Sequence, residues 1–175
     1  MTVELRSITI LAPVRQTIID LYAEVRAELL HLPNYRIDAF SERLNRHSGE
    51  SGWQAVIGYD DGTPVGYAYA NTVEPGDRWW KRMDPPAPEQ YSRTAAVALK
   101  EIMVRVPWRG TGTARRIHDE LLCDRAEPYV SLLVNPEAGD GKVRALYESW
   151  GYRQISRQQP SPGSPVLAAM VRDRQ

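Results

Sequence analysis

Alternating and β-branched apolar positions over residues 3–10 predict a first strand. Ile18, Leu21, Tyr22, Val25 and Leu29 then recur at helical spacing, with Pro13 suited to a first helical turn. The segment 31–36 interrupts that stripe, and Ile37, Phe40 and Leu44 predict a second short helix ending by Gly49. WQAVIGY (53–59) and PVGYAYA (64–70) flank Asp60-Asp61-Gly62-Thr63, an Asp-Gly turn between apolar runs and therefore a hairpin. Residues 74–93 hold four prolines with Trp79 and Trp80 and read as a long irregular loop. A central apolar strand over 94–104, a helix from about Thr113 to Asp124 and a buried strand over 129–135 follow. Val143, Leu146, Tyr147 and Trp150 mark a last helix, stopped at Gly151, before two closing strands at 152–156 and 166–172. The result is one mixed α/β domain over 1–175, with a partly antiparallel sheet and a strand-helix-strand unit in its second half.

Composition narrows the function classes. The 175 residues are 42% hydrophobic and 25% charged, the balance of a globular protein. Lys plus Arg equals Asp plus Glu at 22 each, so no global field favours nucleic acid or an anionic membrane, and an anion site has to be built locally. Cys123 is the only cysteine and no Asn-x-Ser/Thr sequon occurs, which suits a reducing cytoplasm. The N-terminal residues do not read as a signal peptide, and no apolar run reaches the length of a membrane span. His31, His47 and His118 share no metal-ligand spacing, so no metal is expected. Cys123 beside Leu121 and Leu122 reads as a structural residue.

The segment 101–116, EIMVRVPWRGTGTARR, carries chemistry. A strand halts at Pro107, a turn holds Arg109, Gly110 and Gly112, and a helix begins at once. Its first turn offers unpaired amides and a partial positive charge, the small residues let a bulky anion approach, and Arg109, Arg115 and Arg116 add charge. This reads as a phosphate cradle; a tight turn with solvated arginines is the plainer alternative. A dinucleotide fingerprint fails at Arg115, and a P-loop fails at Pro136 and Val143 around Gly141-Lys142.

Arg109, Gly112 and Ala114 after an apolar strand, with Leu146, Tyr147, Gly151 and Tyr152 one strand later, resemble the two signatures of the GNAT superfamily of acyl-CoA N-acyltransferases. The resemblance implies a partly antiparallel sheet of six to seven strands flanked by about four helices, with acetyl-CoA as cosubstrate. It implies that Ile102, Met103 and Val104 pair with the pantetheine arm, and that the amides from Gly110 through Thr111, Gly112, Thr113 and Ala114 to Arg115 hold the pyrophosphate. It also implies that neighbouring strands splay near the thioester, and that Tyr147 protonates the departing thiolate after direct attack by an amine. The family's usual Asn and Ala ahead of that tyrosine are Asp140 and Val143 here, with Asn135 further upstream.

Tyr147 also fits a core helix stripe. Glu101, a carboxylate in an otherwise apolar strand, reads either as the general base or as an outward-facing strand residue. His118 follows the turn on its helix and is a weaker coenzyme candidate. Trp79 and Trp80 read as walls of an acceptor pocket or as loop anchors, and Glu74 and Asp77 as attractants for an ammonium group or as solvated charges. The expected acceptor is a small-molecule amine. A peptide N-terminus or lysine, and a non-catalytic coenzyme A-binding module, are the alternatives. An edge strand near the C-terminus offers a surface for a homodimer.

Overall fold

The computed structural model describes residues 2–174. Seven strands form one sheet: β1 (Val3–Ile8), β2 (Gln54–Asp60), β3 (Thr63–Val73), β4 (Ala96–Val104), β5 (Tyr129–Val134), β6 (Arg153–Gln158) and β7 (Leu167–Asp173), in the order β1-β2-β3-β4-β5-β7-β6. Helices α1 (Arg15–Val25), α2 (Ile37–Ser48), α3 (Arg78–Lys81), α4 (Glu89–Ser92), α5 (Thr113–Leu122) and α6 (Lys142–Ser149) complete the fold. The two helices beyond the expected four are single turns, α3 and α4, inside the segment that reads as irregular. Apart from these, the element order is the expected one. The chain divides into two compact units, 1–71 with 100–125 and 72–99 with 126–175.

In the first unit, β1 pairs antiparallel with β2, and β2 with β3. The hairpin turns through Asp61 and Gly62, both at positive φ (47° and 76°), as a two-residue Asp-Gly turn requires. Its core gathers Ile18, Phe40, Leu44, Ile57, Tyr67 and Tyr69, with the Tyr22 and Phe40 rings stacked 3.8 Å apart. Val25 ends α1 and Leu29 lies in a separate 3-10 turn, so the predicted stripe breaks there. A Cβ at Gly58 would meet Val3 and Ile117 side chains at 3.0 and 3.3 Å, which is how closely α5 lies against β1 and β2. Cys123 caps α5 as an exposed thiol donating to the Glu120 carbonyl at 3.2 Å, so it is not a buried packing residue.

In the second unit, β4 and β5 pair in parallel from Ala96–Tyr129 to Leu99–Leu132. β5 then pairs antiparallel with β7 and β7 with β6, which leaves β6 at the sheet's edge as expected. Val73, Trp79, Trp80, Met83, Tyr91, Ala96, Ala98, Ala169 and Val171 form this core. Gly151, at φ 93°, ends α6 where the C-cap signal lies. Among the described residues no helix is long and apolar enough to cross a membrane.

Candidate functional site

The phosphate-type turn forms as a strand, a 3-10 turn (Val106–Trp108) and α5. Trp108 Nε1 donates to Asp60 Oδ2 at 2.9 Å, and Arg109 Nε to the Val104 carbonyl at 3.2 Å, so both ends of the turn are pinned within the first unit. Thr111 Oγ1 donates to the Trp108 carbonyl and meets Thr113 Oγ1 at 2.8 Å. Gly112 is the N-cap of α5 at φ 82°, a left-handed conformation that side chains with a Cβ resist. It brings no capping side chain, so the first amides of α5 keep their donor capacity. A Cβ placed at Gly110 or Gly112 would meet nothing within 4 Å, so the space above both residues is open. All three arginines read as supplements are already engaged, Arg109 through the Val104 carbonyl. Arg115 bonds Asp119 at 2.8 Å and Arg116 bonds the Val3 carbonyl at 2.9 Å.

Upstream, β4 continues through 100–104 past its last pair with β5 at Leu99. Met103 and Val104 are buried and Ile102 is half-buried. β3 comes so close to this stretch that a Cβ at Gly66 would lie 2.7 Å from the Met103 carbonyl. Only glycine admits that approach.

Glu101 does not face outward. Its side chain is 16% exposed and its Oε1 lies 4.0 Å from Arg43 Nη2. Burial raises its pKa against the opposing pull of Arg43 and Arg26, and at that separation the guanidinium does not undo the desolvation. Tyr22, Tyr67 and Tyr69 all feel the Glu101 charge, and all three have raised pKa values, chiefly through burial. Tyr67 and Tyr69 stack at 6.3 Å, and Tyr69 Oη lies 2.9 Å from His47 Nδ1. His47 titrates at about 3, driven down by burial and then by Lys100, Arg46 and Arg43, so it stays neutral near pH 7.

In the second unit, Tyr147 lies on α6, which has no buried residue. It is therefore not a core aromatic of that helix, and Leu146 beside it is 45% exposed. The half-buried Tyr147 ring contacts Trp150 and Tyr152 edge-on at 5.6 and 5.8 Å. Trp79 and Trp80 are buried in that unit's core, and Trp79 Nε1 donates to Ser131 Oγ at 2.9 Å. Glu74 is exposed, and Asp77 caps α3 through the Trp79 amide. Asn135 accepts from the Glu137 amide at 3.0 Å, which occupies its side-chain oxygen locally. His118 is fully buried with Nδ1 2.9 Å from Asp119 Oδ1. Among the described residues no cluster of His, Cys, Asp or Glu is arranged to hold a metal.

Sequence patterning does not bring Arg26, Arg43, Tyr67 and Tyr69 together around Glu101. The two arginines come from α1's end and α2, the two tyrosines from β3, and their meeting is a product of tertiary packing. The one available sign is the repeat of tyrosines at 67 and 69, which puts both on one face of a strand.

No protein-family model matches the sequence, and no curated protein matches it either. Solved structures do match. A GNAT-family acetyltransferase from Streptococcus agalactiae superposes with a TM-score of 0.67 at 16% identity, covering 98% of this chain and 96% of that one. NAA60 of Arabidopsis thaliana, solved with acetyl-CoA, gives 0.67 at 14% identity over 98% of each chain. The PaiA N-acetyltransferase of Thermoplasma acidophilum, solved with coenzyme A, gives 0.61 at 12% over 99% of each. The strand order, the uncapped turn ahead of α5 and these likenesses agree: this chain has the fold of the GNAT-family acetyltransferases.

Proposed function

We propose that the protein transfers the acetyl group of acetyl-CoA to the primary amine of a small molecule by direct attack on the thioester. The observation that carries this reading is one continuous segment. It bears the secluded carboxylate of Glu101 on β4 and, after one turn, the uncapped amides of α5. The residues present fit the coenzyme. Gly110 and Gly112 leave open space over those amides, as a pyrophosphate needs. The backbone of 102–104, past the ladder with β5, offers donors and acceptors to the pantetheine amides.

In this reading Glu101 takes a proton from the amine, directly or through a water. The nitrogen attacks the thioester carbonyl, the N–C bond forms, and the C–S bond breaks as the tetrahedral intermediate collapses. Tyr147 gives its hydroxyl proton to the leaving thiolate. A base whose pKa is raised by burial lies nearer the working pH and is the better catalyst for it. Trp79 and Trp80, packed in a core with Val73, are read as anchors of their segment, and Glu74 beside them as the exposed attractant for the ammonium group. The exposed free thiol of Cys123 suits a reducing compartment, and we place the protein in the cytoplasm.

The test is release of coenzyme A from acetyl-CoA across a panel of amines, with Tyr147→Phe beside the wild type and coenzyme binding measured separately. Turnover dependent on one amine class, lowered about 10²-fold or more in the variant, is the expected result. Coenzyme binding without turnover would leave a binding module, turnover only with peptides would move the acceptor class, and no coenzyme binding would end the reading.

A further inference from the structure

The environment of Glu101 holds more recognition chemistry than a general base requires. Two guanidiniums, Arg26 and Arg43, act on a single carboxylate, so one positive charge stands over. Arg43 is partly spent: its Nη1 donates to the Asn34 carbonyl at 3.2 Å and its Nη2 faces Glu101. Arg26 is not. Among the described residues its side chain forms no ion pair and no hydrogen bond, and it lies over the Tyr35 ring with its centre 5.9 Å from the centroid. Its Nε is nevertheless buried, a donor removed from water without a partner.

A second orphan accompanies it. Tyr67 is fully buried, and its hydroxyl has no hydrogen-bond partner. Burial and the Glu101 charge keep that hydroxyl protonated, so it is a donor. An unmade bond at a buried polar atom costs about 1–3 kcal/mol. Two such donors near one charge are explained if a ligand completes them.

The chemistry selects the ligand. Nε and Nη of a guanidinium form a planar fork that matches the two oxygens of a carboxylate, and a phenol adds a third donor. A single surplus charge suits a monoanion better than a phosphate dianion, which Glu101 would also repel. We infer that the acceptor is an aminocarboxylic acid, its carboxylate received by Arg26 and the Tyr67 hydroxyl while its amine goes to Glu101. This rests on the transferase reading for the role of Glu101, but the anion subsite itself stands on Arg26 and Tyr67.

The test pairs each of L-leucine, L-phenylalanine, L-glutamate, L-lysine, β-alanine and 4-aminobutanoate with its carboxamide. Binding is measured by calorimetry with coenzyme A present, and turnover by release of coenzyme A. In the wild type at least one acid should bind about ten- to hundredfold more tightly than its amide. Arg26→Gln should bring that ratio close to one. Tyr67→Phe should shrink it several-fold with no loss of thermal stability, because the hydroxyl has no internal bond to lose. The Tyr67 variant keeps the test valid if the arginine variant folds poorly. The inference fails if no acid exceeds its amide, or if both variants keep the ratio. Discrimination in binding without turnover would sink the transferase reading and leave the anion subsite; turnover of acid and amide alike, or of peptides only, would do the reverse.

Discussion

The two units treat buried polar groups differently. In the second, several polar atoms that go inside hold loops, while among the described residues Trp80 Nε1 and Gln158 Oε1 stay buried without a partner and away from any displaced charge. Trp79 Nε1 reaches Ser131, Ser156 bonds the Pro85 carbonyl, and Arg172 bonds the Trp150 carbonyl at 2.9 Å. In the first, burial is imposed on groups that would rather be solvated: Glu101 with its raised pKa, His47 with its depressed one, and Tyr67 and Arg26 Nε without partners. Satisfied polar atoms stabilise a fold. Unsatisfied and displaced ones cost stability, and their clustering marks where a molecule is asked to do work.

That contrast is most exposed to Glu101→Gln. Removing the proposed base should lower kcat/KM about 10²–10⁴-fold. The same change should raise thermal stability near neutral pH. The sign follows from linkage: a carboxyl whose folded pKa lies above its unfolded one binds more protons when folded, so stability falls as pH rises from the usual carboxylate range to the folded value, and stays lower above it. Glutamine escapes that penalty, so the gain should vanish in acid. Unfolding curves at pH 4 and pH 7 check it, and a loss of stability at both would mean that Glu101 is structural.

Gly112→Val should weaken acetyl-CoA binding about tenfold, because leaving the left-handed conformation costs about 1–2 kcal/mol at the N-terminus of α5. Calorimetry reads this directly, and unchanged affinity would take the pyrophosphate away from that turn. Trp79→Phe tests the other side of the contrast. It strands the Ser131 hydroxyl and should cost about 1–3 kcal/mol of stability while leaving KM within about twofold. A raised KM with unchanged melting would return Trp79 to the acceptor site. The smallest effect concerns acid. His47, neutral in the fold, binds fewer protons folded than unfolded, so stability should decline as pH falls from 6.5 toward about 3, and His47→Gln should flatten that limb.

Local signals carried far in this chain. The Asp61-Gly62 turn, the halt of β4 ahead of Pro107 and the Gly151 cap each depend on a few adjacent residues, and each lies where the sequence puts it. The single turns α3 and α4 escaped because four residues leave no periodicity to read, and because the prolines around them argue for loop. Trp79 and Trp80 admit two readings, since an aromatic pair in a loop looks the same whether it faces a ligand or a core. Glu101 was visible as an interruption in an apolar strand. Its seclusion was not, because that depends on Tyr22 from α1, Arg43 from α2 and Tyr67 from β3 arriving together.

The exposed sulfur that caps α5 has a practical corollary. Desolvation and the neighbouring Asp124 and Glu120 carboxylates raise the Cys123 pKa, so little of it is thiolate at neutral pH. Any colour reagent used to count liberated coenzyme A will still titrate this sulfur slowly, one equivalent per chain, as a drifting baseline. Cys123 is the only cysteine, so Cys123→Ser yields a chain in which every thiol detected came from the coenzyme. Conversely, the wild-type sulfur accepts a single dye at the C-terminal end of the helix whose other end is the proposed phosphate cradle.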